Sequence, residues 1–170
     1  MSRDPAVAAL VSELAGRWSG EGEGQYPTID SFRYRETTEF TERSDHPALR
    51  FEQRAWKLTP EGEVVSHWEL GLLRISSDGS LLMRDAQVGR SETLAGSWET
   101  DGHGWLMSLR STGYAGDERV IASTRRFRLR PDELSYEMDM ETTATHQMSL
   151  HLRATLRKAI PGPLESSPRD

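Results

Sequence analysis

Residues 16–29 read Gly16-Arg17-Trp18-Ser19-Gly20-Glu21-Gly22-Glu23-Gly24-Gln25-Tyr26-Pro27-Thr28-Ile29, and no other part of the chain constrains its architecture as tightly. Glycines at 16, 20, 22 and 24 keep an even spacing, and Trp18 falls in the same phase. In an extended strand every second side chain points to one face. That face is bare backbone apart from one indole, so something large must lie against it or the strand must bend sharply. A flexible linker would be glycine-rich without the phase and without the tryptophan. Tyr26-Pro27-Thr28 then stops the strand, because proline cannot donate to the ladder and holds its predecessor extended.

Upstream, Pro5 to Leu14 predicts a short helix. Asp4 can cap it, Pro5 suits its first turn, and Val7, Leu10, Val11 and Leu14 share one face. Downstream, no segment holds a helical period for three turns. Strand signals follow one another at about 16–25, 32–42, 48–58, 63–76, 79–88, 91–99, 104–112, 119–129, 133–142 and 147–157. Turn chemistry separates them, as at Ser77-Asp78-Gly79, Asp101-Gly102-His103-Gly104, Gly113-Tyr114-Ala115-Gly116-Asp117 and Pro131-Asp132. About ten strands joined by short turns read as an antiparallel meander, and closing it removes the exposed edges of an open sheet. The expectation is all-β: a closed, ten-stranded, up-and-down barrel of lipocalin or fatty-acid-binding-protein shape with a short N-terminal helix. Trp18 should be buried at the barrel's end, with Gly20, Gly22 and Gly24 supplying a bend or close approach. Residues 1–160 are expected to form a single domain and residues 161–170 a disordered tail.

Composition agrees. The chain has 170 residues, enough for one domain with a real core. An apolar fraction of 35% and a mean hydropathy of −0.66 suit a sheet with one face in water. A net charge of −6 argues against nucleic acid, which needs a basic face. The arginines at 125, 126, 128 and 130 are a local exception, read as one solvated strand face. There is no cysteine, which excludes disulfides, thiolate haem ligation and iron–sulfur clusters. No stretch approaches the ~20 apolar residues of a membrane span. Met1-Ser2-Arg3-Asp4-Pro5 does not open a signal peptide, so a cytoplasmic location without membrane or nucleic-acid partners is expected.

The run G-x-W-x-G-x-G-x-G-x-Y-P-T-I resembles the nitrobindin family of haem-binding β-barrels. The likeness continues through Ser31-Phe32-Arg33-Tyr34, His67-Trp68-Glu69-Leu70-Gly71, Arg74 and His151-Leu152-Arg153-Ala154, in the family's order and over most of the chain. The resemblance implies one haem b per chain, held in the ferric state, that binds nitric oxide and isomerises peroxynitrite to nitrate. A homodimer is compatible with it.

His151 is the residue on which such chemistry would turn. It lies in Met148-Ser149-Leu150-His151-Leu152-Arg153-Ala154-Thr155-Leu156, where Leu150, Leu152, Ala154 and Leu156 share one face and His151 shares the other with Ser149, Arg153 and Thr155. Read from the residues alone, that is a surface histidine beside Arg153. A single imidazole can also hold haem iron, and the resemblance implies that His151 is this metal ligand and the catalytic centre. Against the family's spacing, the stretch from Met140 to His151 runs about one residue long. An extra residue in the turn is harmless, whereas a slip within the strand would turn the histidine to the other face. His146 is the fallback ligand.

By resemblance, His67 sits beside the haem without bonding the iron; as a plain residue it is a strand histidine bonded to a neighbour. Met140 and Phe32 match haem-contacting positions, although both residue types commonly pack in cores. Arg125 either meets a haem propionate or is one charge on an exposed strand. Thr28 is expected at the pocket rim. His46 and His103 fall in turns and are assigned nothing. No Gly-x-Ser-x-Gly, P-loop or His-Glu-x-x-His occurs, and the acids in Gly20-Glu21-Gly22-Glu23-Gly24 would repel phosphate. Glu21 and Glu23 share a face without a partner of contrasting environment, which reads as a solvated surface. The alternative function is a non-haem carrier of a fatty acid or another small apolar ligand. Such carriers hold the carboxylate with Arg-x-Tyr near the barrel's end, but Arg153 here precedes Ala154 and Thr155.

Overall fold

The structure, a computed structural model, describes residues 4–42 and 48–159. His46 and the tail from residue 161 lie outside the described residues. One helix, α1 (Pro5–Leu14), leads into ten strands: β1 (Gly16–Tyr26), β2 (Ile29–Glu42), β3 (Ala48–Thr59), β4 (Gly62–Ile75), β5 (Ser80–Gln87), β6 (Arg90–Thr100), β7 (Trp105–Ala115), β8 (Val120–Arg130), β9 (Glu133–Thr142) and β10 (Ser149–Lys158). Each strand pairs antiparallel with its sequence neighbours, and β1 also pairs with β10, closing the barrel. The expected closed ten-stranded meander is the observed fold.

The helix blocks one end. The Asp4 carboxylate accepts from the backbone N–H groups of Ala6 and Val7, satisfying donors the helix cannot. Val7, Leu10, Val11 and Leu14 are buried in one cluster with Leu49, Ile75, Leu81, Leu129, Leu134 and Leu156 from the strand ends. Trp18 is fully buried there, and its indole N–H donates to the Leu14 carbonyl at 2.9 Å, fastening strand to helix. The opposite end carries the hairpin turns after β1, β3, β5, β7 and β9 and, among the described residues, has no helix over it.

The bare face of β1 is explained by two aromatic rings on β2. Gly22 pairs with Tyr34 and Gly24 with Phe32, and both rings lie where a Cβ on the glycine would stand. At Gly20 the backbone of β10 takes that place. Glycine is required at these positions by close approach rather than by a turn.

Two boundaries differ from the sequence reading by three residues. β2 starts at Ile29, directly after the Pro27-Thr28 turn, and β7 runs to Ala115. Gly113-Tyr114-Ala115 has turn composition but is paired with β6, where a register shift at Thr93/Leu94 absorbs the irregularity. The arginine-rich strand also needs correction. Arg126 and Arg128 face water, whereas Arg125 is buried in phase with Phe127 and Leu129. Adjacent strand residues cannot share a face, so the four arginines never formed a single solvated one.

Candidate functional site

Toward the open end the barrel holds a cavity of about 160 Å³, whose wall includes His67, Glu69, Arg90, Met140, His151 and Leu152. Strict alternation in β10 would exclude His151 from it. Leu152, Ala154 and Leu156 line the interior phase while Arg153, Thr155 and Arg157 face out, as the aliphatic pattern indicated. A bulge changes this. Leu150 pairs with Asp139 and Leu152 with Met138, leaving His151 as an extra residue with no partner on β9. Beyond it the phase inverts, and Ser149 pairs with the cavity-lining Met140. A bulge re-aims one side chain without shifting the rest of the register. His151 therefore joins Leu152 on the cavity wall.

The imidazole is held on two sides. Nδ1 lies 3.2 Å from the carbonyl oxygen of Gln25, and the ring meets Tyr26 edge-on at 5.6 Å. A carbonyl can only accept, so Nδ1 carries the proton and Nε2 presents a lone pair. Burial pushes the His151 pKa below that of a free histidine, with the Gln25 carbonyl opposing in part. Tyr26 is buried and fixed through its hydroxyl, which bonds Thr142 at 3.0 Å and Thr145 at 2.8 Å. Thr142 ends β9 and Thr145 lies in the β9–β10 turn, so the bonds tie the β1 end to the segment leading into His151.

His67 lies across the cavity on β4, with Nε2 3.1 Å from Oε2 of Glu69. Behind it is a buried ionic cluster. Nη1 of Arg125 bonds Oε1 of Glu69 at 2.5 Å, and Nη2 bonds Oδ2 of Asp85 and Oε2 of Glu92, both at 3.1 Å. Ser123 donates to Glu92. Burial alone would raise the Glu69 carboxyl, but the Arg125 guanidinium and His67 overcome it and hold the group down at about 2. Asp85 goes the other way, pushed up to about 7 by burial and by the Glu69 charge against the pull of Arg125. A second group surrounds Glu36. Its carboxyl accepts from Tyr136 at 2.5 Å and Thr38 at 2.7 Å, Tyr34 bonds Tyr136 at 2.8 Å, and burial raises the Glu36 pKa.

His151, His67 and Met140 thus meet at one cavity, and Met140 Sδ lies 3.8 Å from Nη1 of Arg90. Phe32 has the interior phase, but its ring is spent on Gly24 and it does not line the cavity. Thr28 sits exposed in the turn after β1 and does not reach the wall. Arg125 is neither a surface charge nor free for a propionate, because its guanidinium engages three carboxylates inside the barrel. His146 is exposed in the β9–β10 turn with a positive φ of 47°, away from the cavity. His103 is likewise exposed. Sequence reasoning missed the interior acids and Arg90. The signal for the acids was available: Asp85 shares its phase with Leu81 and Met83, and Glu36 with Tyr34, Thr38 and Phe40.

Residues 8–158 match the family described as a THAP4-like, heme-binding beta-barrel domain. The chain belongs to that family. A relative named peroxynitrite isomerase Rv2717c, from Arabidopsis thaliana, is 39% identical over 91% of this chain and 89% of its own length. Peroxynitrite isomerase 1 of Mycobacterium tuberculosis is 33% identical over 93% of this chain and 99% of its own. The crystal structure of Rv2717c from M. tuberculosis superposes with a TM-score of 0.83 at 29% identity, covering 94% of this chain and 100% of that one. An S-type phycobiliprotein lyase from Guillardia theta shares the fold at a TM-score of 0.65 and 10% identity.

The residues present fit a haem. A histidine anchored through Nδ1–H to a backbone carbonyl, neutral and with Nε2 unbonded among the described residues, is the donor arrangement iron requires. The enclosed space falls below the roughly 300–1,000 Å³ of ordinary ligand pockets.

Proposed function

We propose that this protein is a ferric haem b barrel of nitrobindin type, carrying one haem per chain, binding nitric oxide and isomerising peroxynitrite to nitrate. The observation that carries this reading is the His151 bulge, which brings the imidazole to the cavity with Nε2 unbonded among the described residues. Family membership and relatives named peroxynitrite isomerase support it.

The bound haem supplies a ferric centre at which an anion or a diatomic ligand can be held and rearranged. His151 would hold the iron through Nε2, since the Gln25 carbonyl keeps it in one tautomer and the Tyr26 ring keeps it in one orientation. Met140, on the cavity wall, would offer the group a polarizable contact. His67 lines the same cavity and would stand beside the group without bonding its iron. Arg90, at the mouth beside Met140, is a better candidate partner for a propionate than Arg125.

The carrier alternative loses its anchor. Arg153 points outward to Glu23 at 2.6 Å, and Arg125 is occupied by carboxylates of the chain itself. Stopped-flow decay of peroxynitrite with haem-loaded protein, with nitrate yield measured alongside, tests the reading. Catalytic decay with a raised nitrate yield is expected. Decay no faster than with the haem-free protein would reject it.

A further inference from the structure

Glu69 touches a mouth histidine on one side and a buried cation on the other. Oε2 faces Nε2 of His67, and Oε1 takes the shortest bond of Arg125. Its side chain is only 3% exposed, whereas that of His67 is 30% exposed at the cavity. An ionised carboxylate can only accept, so Nε2 of His67 must carry a hydrogen. Nδ1 is then the ring atom that remains open, and it has no hydrogen-bond partner among the described residues.

We infer that Glu69 is a positioning residue for the mouth: through its bond to Nε2–H it fixes His67 in one tautomer and makes Nδ1 the only ring atom that exchanges a proton with a ligand or with water. Arg125 holds Glu69 in place, and Asp85 and Glu92 hold Arg125. The cluster is thus a brace for one imidazole, reaching from β8 through β5 and β6 to β4. At Nδ1 an incoming peroxy acid can leave its proton and become the anion; once protonated there, the same atom donates to an anion. Atoms balance with no oxidant or reductant, since only a proton moves. This inference rests on the proposed reaction for its consequence, but its structural content does not depend on haem.

The test separates the two. In haem-free, ¹⁵N-histidine-labelled protein, long-range ¹H–¹⁵N spectra identify which ring nitrogen of neutral His67 bears the hydrogen. Wild type should show the Nε2–H form. In Glu69→Gln, the Arg125 N–H claims the amide oxygen and turns the amide NH₂ toward His67, so the ring must accept at Nε2 and switch to the Nδ1–H form. Asp85→Asn, which leaves the Glu69–His67 bond intact, should keep the wild-type pattern. When loaded, Glu69→Gln should retain its Soret band while peroxynitrite turnover falls about tenfold and its pH profile shifts. An Nδ1–H tautomer in wild type, or no change in Glu69→Gln, overturns the inference. If Glu69→Gln fails to fold, the wild-type tautomer alone decides. Failure of haem loading with the predicted tautomers in place would strike the proposed function and leave the brace standing.

Discussion

His151 donates from Nδ1 to the main-chain carbonyl of Gln25 across the β1–β10 seam, at 3.2 Å. The bond joins the end of the glycine-rich strand to the start of the strand bearing the candidate ligand. Burial at this seam favours the neutral ring. A proton and a metal compete for Nε2, so the depressed pKa protects metal binding to lower pH. Haem retention should be flat above about pH 6.5, the value of an unperturbed histidine, and fall only once pH passes through the lowered value. A Soret titration checks this. Half-loss above pH 6.5 would mean that His151 is not the titrating donor or is not shielded as described.

The Tyr34 ring occupies the space that a side chain on Gly22 would need. Gly22→Val must push that ring away from Tyr136 or bend β1 away from β10. A loss of about 1–3 kcal/mol is expected, read as a lower denaturant midpoint with an unchanged slope. An unchanged midpoint would show that the close approach carries no energy.

Asp85 gives stability an unusual pH dependence. The native state keeps its proton to about pH 7, whereas the unfolded chain releases it near 3.8. A raised carboxyl pKa contributes stability that is complete below the unfolded value and is lost as pH rises through the native one. Asp85→Asn keeps the size and removes the titration. Between pH 4 and 7 it should gain on wild type by an amount on the order of 1–3 kcal/mol. Glu69 works in the opposite sense: its contribution is present above the ordinary carboxyl range and is lost only as pH falls toward 2. Parallel stability curves for wild type and Asp85→Asn over that window would contradict the assignment.

The fold was legible because it depends on local signals. Alternation, turn residues and the phased glycines each mark a strand or its neighbour without knowledge of the rest, and the ten strands lie within a few residues of where those signals put them. Helix α1 announced its cap, its first-turn proline and its buried face in the same way. The site was less legible because it depends on exceptions. The bulge at His151 breaks the periodicity from which strand faces are read, so alternation alone pointed this histidine outward. Arg125 was misread for a related reason: a run of arginines suggests water, yet Phe127 and Leu129 in the same phase pointed inward. Its three carboxylate partners come from β4, β5 and β6, and no local window holds them all.

The most direct measurement is the ferric Soret band of haem-loaded wild type beside His151→Ala, His146→Ala and His67→Ala. His151→Ala should abolish or badly weaken the band, His146→Ala should leave it unchanged, and His67→Ala should keep it nearly intact while altering reactivity toward nitric oxide or peroxynitrite. Wild-type protein that takes up no haem, or His151→Ala protein that loads as well as wild type, would contradict this.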